Sequence, residues 1–149
     1  MLSRIVAPDF FDYEITIIAE RSLLGALLER PQLWEHCAPL LTADDFCLGI
    51  HRNIWQIIDR LDRAGLPRDA HCVATQLRGP KDVTYLAALV DGTLLDDFAR
   101  YVQQVRTSAR LRRAQLEIEQ LHKMRSVGEL RASLKAISEI LDEGEGQCR

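Results

Sequence analysis

The sequence predicts an all-α protein, a compact multi-helix globule followed by a projecting helical hairpin. Three observations lead there. Strand signals are nearly missing, with no Asn-Gly turn and no sustained alternation of apolar and polar residues. Apolar residues recur instead at helical spacing in almost every segment. A stretch free of Gly and Pro then runs from Leu94 to Met124, and its apolar side reverses partway along.

The elements follow in order. Ile17, Leu24, Leu27 and Leu28 mark a first amphipathic helix, stopped before Pro31 because a residue preceding proline disfavours helical geometry. Leu33, Trp34, Cys37, Leu40 and Leu41 give the inner face of a second, and Thr42-x-x-Asp45 resembles a capping box leading into the next element. Ile54, Trp55, Ile58 and Leu61 form a third stripe, ended by Gly65-Leu66-Pro67. Asp69 is placed to cap a short helix with Val73 and Leu77 that Gly79-Pro80 ends. Asp82 is placed to cap another, with Tyr85, Leu86, Leu89 and Val90, closed by Gly92.

From Leu94 to Met124 the pattern predicts a helix of about 30 residues, well above the usual length. Leu94, Phe98, Val102, Val105 and Ala109 share one face. Leu111, Ala114, Ile118 and Leu121 lie nearly opposite, with Leu116 off that face. A helix whose apolar side reverses near Arg110 is expected to pack on the globule with its first half and leave it with its second. After a turn at His122 to Arg125, Ser126-Val127-Gly128-Glu129 reads as a capping box for a last helix. Val127, Leu130, Leu134, Ile137 and Leu141 run along one side of it and can fold back on the preceding helix. Two helices alone bury little apolar area against the entropy of ordering them, so such a hairpin seeks another layer, and self-association through it is expected. The predicted organisation is an N-terminal extension over 1–16, a helical globule over 17–105, the hairpin over 106–143, and an acidic tail or truncated linker over 144–149.

Bulk properties exclude several classes. At 149 residues, 47% apolar and 28% charged, the chain has the make-up of an ordinary soluble domain. No apolar run has the length needed to cross a bilayer, and the N-terminus, with Arg4, Asp9 and Asp12, lacks a signal-peptide layout, so a cytoplasmic protein with no membrane partner is expected. Cys37, Cys47, Cys72 and Cys148 form no C-x-x-C pair, which argues against a metal site; the first three read as small buried side chains. Nineteen basic against 22 acidic residues provide no global field for nucleic acid. ATP chemistry of the P-loop type needs G-x-x-x-x-G-K-[ST], and Gly79-Pro80-Lys81-Asp82 is only a distant imitation of it. No cofactor and no catalytic residue is expected, and the chain is read as a non-enzyme.

Four motifs in order, over about residues 17 to 113, resemble one family. Ala19-Glu20-Arg21-Ser22-Leu23-Leu24-Gly25-Ala26-Leu27-Leu28 resembles the "AEQSVLGALL" opening of the N-terminal domain of DnaB-type replicative DNA helicases. Asp45-Phe46 with His51-Arg52-x-Ile54-Trp55 is similar to its "DF…HRxIF", and Tyr85-Leu86-Ala87-Ala88-Leu89 to its "YLAEL". Phe98-Ala99-Arg100-Tyr101-Val102 with Leu111-Arg112-Arg113 resembles "YARIV…LRR". The resemblance implies a globule and hairpin in which hairpins pair, so that the domains form a collar on a hexameric ring where primase docks. Departures are the run Tyr13 to Ile18, where the family commonly has prolines, Gly49 in place of a usual proline, and Cys47 in place of a usual aromatic. The chain also stops at Arg149, where the family continues into a RecA-like motor.

Candidate sites follow. Leu111, Ala114, Ile118, Leu121, Val127, Leu130, Leu134, Ile137 and Leu141 are the expected oligomer or partner interface. Arg106, Arg110 and Arg113 share a helix face and could touch a partner or phosphates; a salt-bridged face is favoured, because Glu117 continues the row and no aromatic residues interleave. Glu20, Asp45, Phe46, His51, Arg52, Tyr85 and Leu86 are read as structural. His51 and Arg52 are expected at the first turn of the third helix, satisfying buried carbonyls or a carboxylate such as Asp44 or Asp45. The expected partners are a second copy of the chain and a primase or helicase loader, with direct nucleic-acid binding not expected. Two rival readings are the helicase-binding C-terminal domain of a bacterial primase, which shares the plan, and a small nucleic-acid-binding regulator using the arginine row.

Overall fold

The computed structural model describes residues 12–91, 97–121, 123 and 127–143. These residues form α-helices and two 3-10 turns, with no strand among them. The chain falls into two compact units, one holding Tyr13–Arg106 and the other Thr107 onward.

In the first unit, α1 (Tyr13–Glu29) starts earlier than the apolar pattern suggests. Glu14 in its first turn complements the positive end of the helix, and Thr16 is buried in that part of it. Its inner side, Ala19, Leu23, Leu24, Leu27 and Leu28, is core. The second element differs from expectation: a 3-10 turn, Pro31–Leu33, runs into a single helical turn, α2 (Trp34–Cys37). The helical period ends at Cys37, so Leu40 points outward while Leu41 returns to the core.

The 3-10 turn Ala43–Asp45 is held by Asp45, whose carboxylate accepts from the Thr42 amide at 2.8 Å. Then α3 (Gly49–Arg63) buries Ile54, Trp55, Ile57, Ile58 and Leu61. It closes as a Schellman motif: the Leu66 amide donates to the Leu61 carbonyl and the Gly65 amide to that of Asp62, and Gly65 takes φ 66 as that position requires. Asp69 caps α4 (Ala70–Gln76) by accepting from the Cys72 amide at 2.8 Å. Pro80 opens α5 (Pro80–Asp91) instead of ending the helix before it, its fixed φ suiting a first turn, and Asp82 therefore lies inside that turn and is not the cap. α1 packs against α3 and α5, and α4 packs on both α3 and α5. Trp34, Trp55 and Phe46 stack at the centre, with ring centroids 4.5 and 5.2 Å from Trp55.

α6 (Phe98–Leu121) is one uninterrupted helix of 24 residues, shorter than the expected stretch, whose residues 94–96 and 124 lie outside the described ones. Val102 and Val105 join the globular core. In the second unit the remainder of α6 is followed by α7 (Val127–Asp142). The expected turn and capping residues His122, Met124, Arg125 and Ser126, the tail over 144–149, and all but one residue of the extension before Tyr13 also fall outside the described residues.

Candidate functional site

Three of the helices converge on one buried polar cluster. Glu20 sits on the core side of α1, His51 in the first turn of α3 and Tyr85 midway along α5. His51 Nδ1 is 2.6 Å from Glu20 Oε2, and His51 Nε2 is 2.7 Å from Tyr85 Oη. The second Glu20 oxygen accepts from the Cys47 backbone N–H at 2.7 Å. The His51 and Glu20 side chains are both fully shielded from solvent. Arg21 lies 5.9 Å over the Tyr85 ring and covers its outer side.

The electrostatics follow from that geometry. Burial pushes the Glu20 carboxyl upward, but the hydrogen bonds from His51 and the Cys47 backbone outweigh it and hold the group below the ordinary carboxylate value. An ionised Glu20 accepts a hydrogen bond from the Nδ1–H of His51, which leaves Nε2 to the phenol: a neutral ring accepts from the Tyr85 O–H there, and a protonated ring donates to its oxygen. Burial also raises the Tyr85 phenol above its usual value. Charge, ring and hydroxyl thus satisfy one another within the core, where a group left alone would be costly.

This corrects one expectation. The carboxylate that meets His51 is Glu20, and not Asp44 or Asp45; Asp45 is turned to its own Thr42 cap. Nothing local points to Glu20, but a lone acid among Ala19, Leu23, Leu24 and Leu27 was a sequence signal, since a charge on an apolar helix face needs a buried partner. Arg52 meets two backbone carbonyls, though not in the interior: its Nε donates to the part-buried Phe46 carbonyl at 2.7 Å and a terminal nitrogen to the exposed one of Cys47 at 2.9 Å. The segment before α3 is therefore pinned by Asp45 at its start, by the fully buried Phe46 ring, by Glu20 on the Cys47 amide and by Arg52 on two carbonyls. Leu86 is core beside Tyr85. With both ionisable side chains sealed, a substrate has no access to His51, and the cluster acts as an internal lock.

The surface candidates lie on the other unit, apart from Arg106, the last residue of the globular one. In α6, Ala114 is buried and Leu111, Ile118 and Leu121 are half-buried, whereas Leu116 is 54% exposed. In α7 the covered flank carries Ser133, Ala136 and Ile140. Val127, Leu130, Leu134 and Leu141 are 70%, 39%, 52% and 49% exposed, and Ile137 is half-buried. These five alternate at steps of three and four, the spacing of a coiled-coil seam, so α7 presents to solvent the kind of edge that helices use against helices. In the arginine row, Arg110 reaches Thr107 at 3.5 Å, and Arg106 and Arg113 each have interaction partners. Of the cysteines, Cys37 is buried as expected, whereas Cys47 and Cys72 are only partly so; Cys148 is outside the described residues. Among the described residues no cluster of His, Cys, Asp and Glu could hold a metal ion, and no helix is long and apolar enough to cross a membrane.

A helical globule with a buried Glu-His-Tyr cluster, followed in sequence by a long helix and a further one, defines an all-α domain. Residues 14–107 match the DnaB-like helicase N terminal domain, and the chain belongs to that family. It is 38% identical over 101 residues to the replicative DNA helicase DnaB of Pasteurella multocida (strain Pm70), covering 63% of this chain and 22% of that protein. The chain thus spans less than a quarter of that relative's length. Among solved structures, the N-terminal domain of DnaB helicase from Mycobacterium tuberculosis is similar with a TM-score of 0.69 and 25% identity, over 83% of this chain and 96% of that one. A DnaB-like replicative helicase, described together with its interactions with primase, gives 0.64 and 27%, over 80% of this chain and 31% of that one.

Proposed function

We propose that the chain is the non-catalytic assembly and partner-binding part of a replicative DNA helicase. It dimerises through the helical hairpin, contributes to a ring collar in the primosome and offers a surface to primase or a helicase loader. In this reading residues 17–105 form a rigid body and residues 106–143 the means of association, in the cytoplasm and with no cofactor or membrane.

One observation carries the reading: the exposed Val127, Leu130, Leu134 and Leu141 seam of α7. Burying a fully exposed side chain of this size is worth about 1.5–3 kcal/mol, and these are already partly covered, so a second helix laid on the seam gains about half of that from each. The family supports the setting, and the primase named with one similar helicase supports the second partner. Light scattering on the purified chain tests the first part, with a dimer or larger assembly expected and a strict monomer at tens of micromolar contradicting it. Capture of primase by the immobilised chain, lost when the same chain is unfolded, tests the second. Capture of a replicative helicase instead of primase would favour the rival reading of a primase domain.

A further inference from the structure

Within the globular unit, α3, α4 and α5 leave an open groove of about 550 Å³, lined by side chains that each carry a polar or charged group. Asn53, Gln56 and Arg60 come from one side of α3, Gln76 and Arg78 from the end of α4 and the link after it, and Asp82 from the first turn of α5. None of these six makes a side-chain hydrogen bond or ion pair with the described residues, although they converge on one concavity. Asp59, the remaining residue of the lining, is turned to Arg63 at 2.8 Å, so it does not neutralise either groove arginine. The groove thus holds two guanidinium groups and three carboxamides with no side-chain partner, the carboxylate of Asp82, and at its rim the Arg63-paired carboxylate of Asp59.

That set has a definite chemical preference. Carboxamides offer both a donor and an acceptor and pair with the backbone of an extended peptide, and guanidinium forks pair with carboxylates, often two bonds at a time. Asp82 and the Asp59 rim disfavour a continuous polyanion such as a nucleic-acid strand, which would have to pass them, but tolerate carboxylates placed one at a time. We propose that this groove is a docking site for a short acidic peptide of a partner protein, held by Arg60 and Arg78 through its carboxylates and by Asn53, Gln56 and Gln76 along its backbone. It shares no residue with the α7 seam, so binding here and self-association are separable.

The test uses the full chain, with a fluorescein-labelled peptide of alternating Asp and Gly as the probe and fluorescence anisotropy as the readout. A dissociation constant on the order of 100 μM at low salt is expected, weakening as salt is added. The Arg60→Ala/Arg78→Ala double variant is expected to bind roughly tenfold more weakly and Asp82→Asn more tightly, since it removes a like charge from the groove. The arginines are exposed, and unchanged helical circular dichroism confirms that the variants fold. Equal binding by the double variant, weaker binding by Asp82→Asn, no anisotropy change at millimolar chain, or preference for a labelled single-stranded oligonucleotide over the peptide would each overturn the proposal.

Discussion

Replacing Glu20 by alanine removes two hydrogen-bond acceptors at once, from His51 Nδ1 at 2.6 Å and from the Cys47 amide at 2.7 Å. A donor stranded in the interior costs about 1–3 kcal/mol, so the pair together with the space left behind sums to about 3–5 kcal/mol, the range for breaking a buried charged contact. Glu20→Gln is the informative comparison. Its carbonyl oxygen still accepts from the Cys47 amide, and its NH₂ donates to Nδ1 once the imidazole proton moves to Nε2, from where it serves the Tyr85 oxygen. The amide therefore keeps the network closed and is expected to cost about 1–2 kcal/mol. Urea unfolding followed by tryptophan fluorescence reads the right unit, because both tryptophans, Trp34 and Trp55, lie in its core. An alanine variant that loses less than about 1 kcal/mol, or a glutamine variant as damaged as alanine, would refute the lock.

Three more outcomes are expected from the same geometry. Because the folded Glu20 pKa lies below its ordinary value of 4.5, the unfolded chain binds the extra proton between the two, so this contribution is complete above 4.5 and is lost as pH falls through the folded value. Urea midpoints taken stepwise down from neutral pH should drop more steeply in that window for the wild type than for Glu20→Gln. Phe46→Ala, which empties a fully buried site against Trp55, should cost about 3–5 kcal/mol and shift the tryptophan emission to the red. Burial pushes the Cys37 thiol up to about 12, so in timed thiol labelling read by peptide mass, Cys37 should react only on unfolding while the part-exposed Cys47 and Cys72 react in the native protein.

The helical class and most of the core were legible because they are local properties. The Ile54, Trp55, Ile58 and Leu61 stripe, the Asp69 cap and the Gly65 stop each follow from a few adjacent residues, and all appear. Where the local signals compete, the reading slips: at Pro80 a proline that breaks one helix also begins the next, and at Leu40 an apolar residue lies one turn past the end of its helix. The partner of His51 was out of reach of spacing, since Glu20 is 31 residues away and only the packing of α1 on α3 selects it over the adjacent Asp44 and Asp45. The α7 seam has the same limit in reverse. Periodicity identifies which side of the helix is apolar, but the covered flank is centred on Ser133, with Ala136, Ile137 and Ile140 half-buried beside it, and leaves most of the apolar side exposed.

Sedimentation equilibrium of Leu130→Asp/Leu134→Asp beside the wild type and a Leu116→Asp control tests the assembly reading most directly, since Leu116 is equally exposed but lies off the α7 seam. The wild type and the control should associate alike, the seam variant should weaken association on the order of a hundredfold or more, and all three should keep the same tryptophan-monitored unfolding midpoint. Association that survives both seam aspartates, or that Leu116→Asp abolishes as readily, would contradict it.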